Sequence, residues 1–233
     1  MKIGVVQFPG SNCDQDCLRA LTDGLGVDAA YLWHKETSVS NYDGIVLPGG
    51  FSYGDYLRCG AIARFSPIMR AVMAAAKEGM PILGICNGFQ ILCEAGLLPG
   101  ALIRNQSLLF VCRPVWLRVE SIATPCTRFL ERGSRLQLPV AHGEGAYFAD
   151  AETLADLEAN DQVVFRYVDA DGNVTAAGNP NGSVQNIAGI CNVERNVVGM
   201  MPHPDRAWEV RLASQDGLVL LRSMFRPALA AVA

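Results

Sequence analysis

The first half of the chain alternates between short apolar runs and amphipathic stretches. Residues 2–8 form a β-rich run closed by Pro9-Gly10, and Ser11 or Asn12 then stands where a helix cap belongs. Behind that cap Cys13, Cys17, Ala20, Leu21 and Gly24 fall on one face of a helix running to about residue 25. Residues 29–33 and 43–47 predict two more strands. Ser66-Pro67 supplies a cap and first-turn pair, and Met69, Val72, Met73 and Ala76 recur at helical spacing as far as Gly79. The run 81–86 is apolar throughout, as in a strand covered on both faces, and 87–97 carries Phe89, Ile91, Leu92 and Ala95 in a helical pattern. Strands separated by helices predict βαβ units, hence an α/β fold with a mainly parallel central sheet flanked by helices.

Beyond residue 101 the pattern changes. The stretches 108–120, 163–168 and 187–193 are β-rich and are separated by turns such as Asp171-Gly172 and Asn181-Gly182. These predict antiparallel strands added to one side of the sheet, with 205–224 as a closing helix. No repeat, low-complexity tract or linker interrupts the chain, so residues 1–233 are expected to form a single domain.

Composition narrows the class. Half of the 233 residues are hydrophobic and 18% are charged, which is ample for a core. With 19 basic against 23 acidic residues there is no electrostatic footprint for nucleic acid or an anionic membrane. The N-terminal run lacks a signal-peptide core and no apolar stretch reaches the roughly 18 residues of a membrane span, so a cytoplasmic protein is expected. The eight cysteines are then read as reduced thiols, with Cys13 and Cys17 as core packing. Without a Cys-x-x-Cys pair, and with only His34, His142 and His203, no metal site is expected.

The strongest chemical signal is Gly84-Ile85-Cys86-Asn87-Gly88, at a turn from a buried strand into a helix. Small residues on both sides of a nucleophile permit the sharp bend that makes it project from the sheet. A thiol at a helix N-terminus faces unpaired N–H groups that favour thiolate. Its candidate base lies in Met201-Pro202-His203-Pro204-Asp205, where the prolines bias His203 toward extended backbone. In an extended run i and i+2 share a side, so Asp205 can hold one ring nitrogen and leave the other for Cys86. Pro48-Gly49-Gly50-Phe51-Ser52-Tyr53-Gly54-Asp55 lacks the Gly-Lys-Ser/Thr of a phosphate loop. The N–H of Gly50 or Phe51 can instead join that of Asn87 as an oxyanion hole.

These residues resemble the class I (triad) glutamine amidotransferases, whose fold is flavodoxin-like. The likeness runs through Gly4 to Asp14, Leu47 to Arg58, Gly84 to Gln90, Ala141-His142-Gly143-Glu144-Gly145 and Pro202-His203-Pro204. The Phe-Ser-Tyr-Gly-Asp and His-Gly-Glu-Gly segments look specific to a purine-biosynthetic branch. The resemblance implies Cys86 as nucleophile, His203 as base, and Gln90 with the Gly143 and Glu144 backbone holding the α-amino and α-carboxyl groups of L-glutamine. It implies no cofactor on this chain. ATP, Mg and formylglycinamide ribonucleotide would belong to a synthetase subunit that receives the ammonia, with a small third subunit completing the complex. One position departs from the family: Asp205 stands where Glu is usual, a methylene shorter. His142, between glycine-rich neighbours, is an alternative base. A stand-alone cysteine-dependent γ-glutamyl hydrolase and a scaffold with a vestigial site are the rival readings.

Overall fold

Four apolar runs of the first half become neighbouring strands: β1 (Lys2–Gln7), β2 (Asp28–Trp33), β3 (Gly44–Leu47) and β4 (Ile82–Ile85). In this computed structural model, which describes residues 1–212 and 214–225, they pair in parallel in the order β2-β1-β3-β4. The next strand is β11 (Val197–Met200), also parallel to β4. Beyond it the sheet turns antiparallel through β10 (Ile187–Cys191), β9 (Val163–Val168), β6 (Val111–Val119) and β7 (Arg135–His142), giving nine strands. A second pair, β5 (Ala101–Ile103) and β8 (Ala146–Phe148), stands apart from that sheet. The antiparallel addition expected from the sequence is thus present. It makes the sheet mixed, with Cys86 and His203 following strands of the parallel part and the end of β7 completing the wall of the site.

The helices follow from the same patterning, with shifted ends. α2 (Pro67–Lys77) begins behind Ser66 and buries Ile68, Met69, Val72, Ala75 and Ala76. α3 (Asn87–Glu94) follows β4 directly. The first helix is shorter than expected: α1 spans Asp14–Arg19 and widens into a π-type turn, Ala20–Gly24. Trp208 covers that turn so closely that a Cβ on Gly24 would lie 2.8 Å from the indole. Cys13, not Ser11 or Asn12, takes the N-cap position and no side chain caps it. The Ser11 hydroxyl instead accepts from Phe8 N at 3.1 Å. α4 (Ala151–Ala159), capped by Asp150, was not foreseen. The closing helix starts later than expected, as α5 (Asp216–Phe225), behind 3-10 turns at Pro204–Arg206 and Val210–Leu212.

The approach of α3 to β3 fixes everything downstream. A Cβ on Gly88 would sit 2.0 Å from the Leu47 carbonyl oxygen, and one on Gly84 would sit 2.4 Å from Leu92 Cδ1. Backbone of β3 cannot yield as a side chain can, so only glycine lets the helix lie this deep. Gly88→Ala is therefore expected to cost about 3 kcal/mol or more, read as a lowered midpoint of urea unfolding. A midpoint within experimental error of the parent would show that α3 can shift outward cheaply.

Candidate active site

Between β4 and α3, Cys86 adopts φ 51° and ψ −106°, left-handed backbone that a non-glycine residue rarely occupies. The strain is held by the two glycine contacts on either side and by Cys86 N donating to Met200 O at 2.8 Å. It turns the thiol out of the sheet toward His203. That histidine has the extended backbone foreseen for a residue before proline, φ −102° and ψ 92°, and its N–H donates to Pro139 O at 2.9 Å. Its ring is buried, with Nδ1 3.3 Å from Asp205 Oδ1 and 3.4 Å from Oδ2. Nε2 is buried, faces Cys86 and has no hydrogen-bond partner that meets strict geometry. The Cys86 thiol donates instead to Ala141 O at 3.7 Å.

Gly49 closes the other side of this pair. A Cβ there would lie 2.8 Å from His203 Cε1, 3.0 Å from Cys13 Sγ and 3.4 Å from Cys86 Cβ. Burial opposes a charge on His203, but the Asp205 carboxylate first and negative charge at the Cys86 sulfur second outweigh it and hold the imidazolium up to a pKa of about 10. The shorter carboxylate of Asp205 therefore still reaches the ring. Asp205 Oδ1 has no hydrogen-bond partner that meets strict geometry.

His142, the alternative base, has a different assignment. Asn105 Nδ2 donates to Leu109 O and His142 O, both at 2.9 Å, so its Oδ1 is the atom 3.1 Å from His142 Nδ1. Asn181 Nδ2, oriented by Gly145 O at 2.8 Å, lies 3.4 Å from His142 Nε2. An acceptor at Nδ1 and a donor at Nε2 fix a neutral ring protonated on Nδ1. Burial, then the charge of His203, lowers its pKa to about 4. His142 thus braces the wall of the site.

A cavity of about 380 Å³ opens here. It is lined by seven of the sequence-derived residues: Cys86, His203, Gly50, Phe51, Gln90, Gly143 and Glu144. Asp205 and Asn87 stand behind it. Asn87 N–H, at the first position of α3, has no acceptor within the helix. Phe51 N–H donates to Gly10 O at 2.9 Å, so in this state it is turned away from the thiol. Both ends of the Gln90 amide are engaged: Nε2 donates to Glu144 O at 2.6 Å, and Oε1 accepts from Asn87 Nδ2 at 2.8 Å. Gln90 therefore fixes the 143–144 segment.

The lining residues that escaped the sequence reading as site residues include five with reactive or charged side chains: Cys13, Cys59, Asp55, Arg104 and Arg206. Of these, Cys13 and Asp55 carried a signal, since both lie in segments of the family likeness. Among the described residues one group has metal-ligand spacing, Cys13, His203 and Asp205, whose donor atoms lie within 4.8 Å of one another. Arg206 Nη2 sits 3.1 Å from Cys13 Sγ, and a guanidinium in that place disfavours a cation.

Residues 1–216 match the CobB/CobQ-like glutamine amidotransferase domain family. The chain belongs to that family. A Thermomicrobium roseum protein named phosphoribosylformylglycinamidine synthase subunit PurQ is 61% identical over 224 residues, covering 96% of this chain and 95% of that one. A protein of the same name from Acaryochloris marina is 55% identical over 230 residues, covering 99% and 98%. The solved structure of PurLQS from Thermotoga maritima matches with a TM-score of 0.85 at 43% identity, over 96% of each chain. The nine-stranded sheet is therefore that of a class I amidotransferase. No helix among the described residues of this amidotransferase is long and apolar enough to cross a membrane.

The electrostatics of the amidotransferase site can be read by NMR titration. Asp205 and Cys86 both raise the His203 pKa, so Asp205→Asn lowers the midpoint most and Cys86→Ala lowers it less. A raised pKa contributes stability that is complete below the unfolded value near 6.5 and is lost as pH rises through about 10. His142 should stay neutral down to about 4, with its proton on Nδ1. A His203 midpoint unmoved by Asp205→Asn would remove Asp205 as the orienting acid.

Proposed function

We propose that this chain is the glutamine-hydrolysing subunit of a phosphoribosylformylglycinamidine synthase in purine biosynthesis, a cytoplasmic enzyme that passes ammonia to an ATP-dependent synthetase subunit. The observation that carries the chemistry is the buried Nε2 of His203 facing the Cys86 thiol on a strained elbow. The Cys86 thiolate adds to the side-chain amide carbon of glutamine, and the oxygen takes up the negative charge. Asn87 N–H and Gly50 N–H are the donors that suit that oxygen. Imidazolium at His203 gives its Nε2 proton to the departing nitrogen, so ammonia leaves and a γ-glutamyl thioester remains. Thioester formation also removes the thiolate charge that helped hold the proton on His203. The ring is then freer to take a proton from water, which attacks the thioester and releases glutamate. One water is consumed and one ammonia formed.

Two features support a partner. Phe51 N–H is engaged by Gly10 O, and Tyr53, Asp55 and Leu57 in the same loop all have positive φ, with Gly54 among them. A loop strained in this way, with one oxyanion donor turned aside, is suited to rearrangement on docking. Phe51, Leu108 and Phe110 line the cavity as exposed apolar side chains, and their chain neighbours Tyr56, Leu57 and Leu109 are exposed as well, Leu57 at 92%. Such a rim is an expected contact surface for a synthetase subunit. A small third subunit, as the name PurLQS suggests for the Thermotoga maritima complex, would join the same assembly. ATP, Mg and formylglycinamide ribonucleotide are assigned to the partner, and no cofactor to this chain.

Glutamate release from glutamine is expected to rise about a hundredfold when the synthetase subunit is added, the worth of one oxyanion donor. A rate unchanged by the synthetase favours the stand-alone γ-glutamyl hydrolase. Leu57→Asp and Leu109→Asp should reduce that stimulation about tenfold while the lone chain keeps its own rate. Cys86→Ala should abolish hydrolysis. Asp205→Asn should reduce turnover about a hundredfold or more through the wrong tautomer, and Asp205→Glu should be tolerated. Full activity in Asp205→Asn would transfer the orienting role elsewhere.

A further inference from the structure

Tyr53 belongs to the glycine loop but does not line the cavity. Its backbone is left-handed, at φ 55° and ψ 28°, which a tyrosine adopts only where contacts enforce it. The contacts are on its side chain: the hydroxyl lies 2.8 Å from His34 Nδ1 and 2.9 Å from Ser66 Oγ, and both partners are buried. The neighbouring Ser52 has a buried hydroxyl with no hydrogen-bond partner that meets strict geometry. Of this pair, Tyr53 is the one tied down by its side chain.

Both anchors belong to other elements. His34 follows β2; its N–H donates to Gln7 O at 3.0 Å, and its carbonyl accepts from Ile68 N at 3.1 Å in the first turn of α2. Ser66 sits at the N-cap of α2, where a serine oxygen ordinarily accepts from the helix. It makes no such bond and meets Tyr53 instead. A phenol hydroxyl can donate to one neighbour and accept from the other, so a neutral His34 ring satisfies all three groups in one chain. A helix cap is given up to hold the loop.

The loop passes the position of Tyr53 on to the Cys86 side. Tyr53 N donates to Pro9 O at 2.6 Å, Gly54 N to Phe51 O at 2.8 Å, and Ser52 N to Asn87 Oδ1 at 3.1 Å. Beyond Ser52 the 50–51 peptide is hemmed in by the 9–12 segment, where a Cβ on Gly50 would lie 2.8 Å from Asn12 N. A shift at Tyr53 therefore becomes a shift of the N–H groups assigned to the oxyanion. Resting on the glutaminase reading, we infer that Tyr53 is the positioning residue of the oxyanion loop: His34 and Ser66 hold its hydroxyl, and it fixes where the 50–51 peptide stands against the Cys86 thiol. None of the three lines the cavity, so the effect falls on transition-state charge and not on the binding of glutamine.

The test uses the full chain with its synthetase subunit and follows ammonia release from glutamine. Tyr53→Phe, which keeps the ring and loses the hydroxyl, should lower kcat about tenfold to a hundredfold and leave KM within about twofold of the parent. Ser66→Ala should lower kcat about threefold to tenfold, and Ser66→Thr, which restores the hydroxyl, should bring it back to within about twofold. The Ser66 hydroxyl caps no helix N–H, so its loss acts through Tyr53. The double variant should therefore be no slower than Tyr53→Phe alone. Alkylation of Cys86 by iodoacetamide, which develops no oxyanion, should keep the parent rate in every variant. A Tyr53→Phe kcat within about twofold of the parent, a loss carried by KM, multiplied losses in the double variant or slowed alkylation would each overturn the positioning role, while turnover by the parent keeps the glutaminase reading. A parent that releases no ammonia from glutamine overturns that reading, and the positioning role with it.

Discussion

The structure depends on how close α3 comes to the backbone of β3. With no Cβ on Gly88 the helix lies against the Leu47 carbonyl, and with none on Gly84 the turn can accommodate Leu92. Cys86 is left between them in left-handed backbone, its thiol aimed away from the sheet. Deep seating also puts the start of α3 in the site, where Asn87 N–H lacks a helical acceptor and its side-chain oxygen accepts from Ser52 N at 3.1 Å. The helix therefore positions the Cys86 thiol, the Asn87 N–H and the Gly49 to Asp55 loop at once. Moving it outward would loosen all three.

Electrostatics complete what packing begins. A buried imidazole is ordinarily neutral, yet Asp205 and Cys86 reverse that tendency at His203. His142 shares the cavity wall and has no such partners, so it follows the ordinary rule and stays neutral. Two histidines in one site thus differ in charge because of what each ring nitrogen faces. The elements that hold His203 come from distant parts of the chain: Pro139 O of β7 accepts from its backbone, and Gly49 of the loop after β3 packs against its ring.

Much of this was legible in the sequence. β1, β3 and β4 have unbroken apolar runs because both faces of the sheet are covered there, and α2 and α3 have clean helical spacing. The Gly-x-Cys-x-Gly turn and the proline-framed histidine are local, and local patterns survive in a linear reading. β7 was not legible, since Pro139 within the run argues against a strand; it is tolerated because β7 lies at the sheet edge, opposite Pro114. β11 is only four residues long. The commitment of Phe51 N–H to Gly10 O and the bracing role of His142 both arise from residues far apart in sequence. Spacing along the chain carries no trace of them.

The central claim is that Cys86 carries the γ-glutamyl group through the reaction. The direct measurement is an acid quench of the chain turning over glutamine with its synthetase subunit, followed by peptide mass spectrometry. A γ-glutamyl adduct on the peptide containing Cys86, absent from Cys13 and Cys59 and absent after Cys86→Ala, is the predicted result. An adduct on another thiol, or steady hydrolysis by Cys86→Ala, would contradict it.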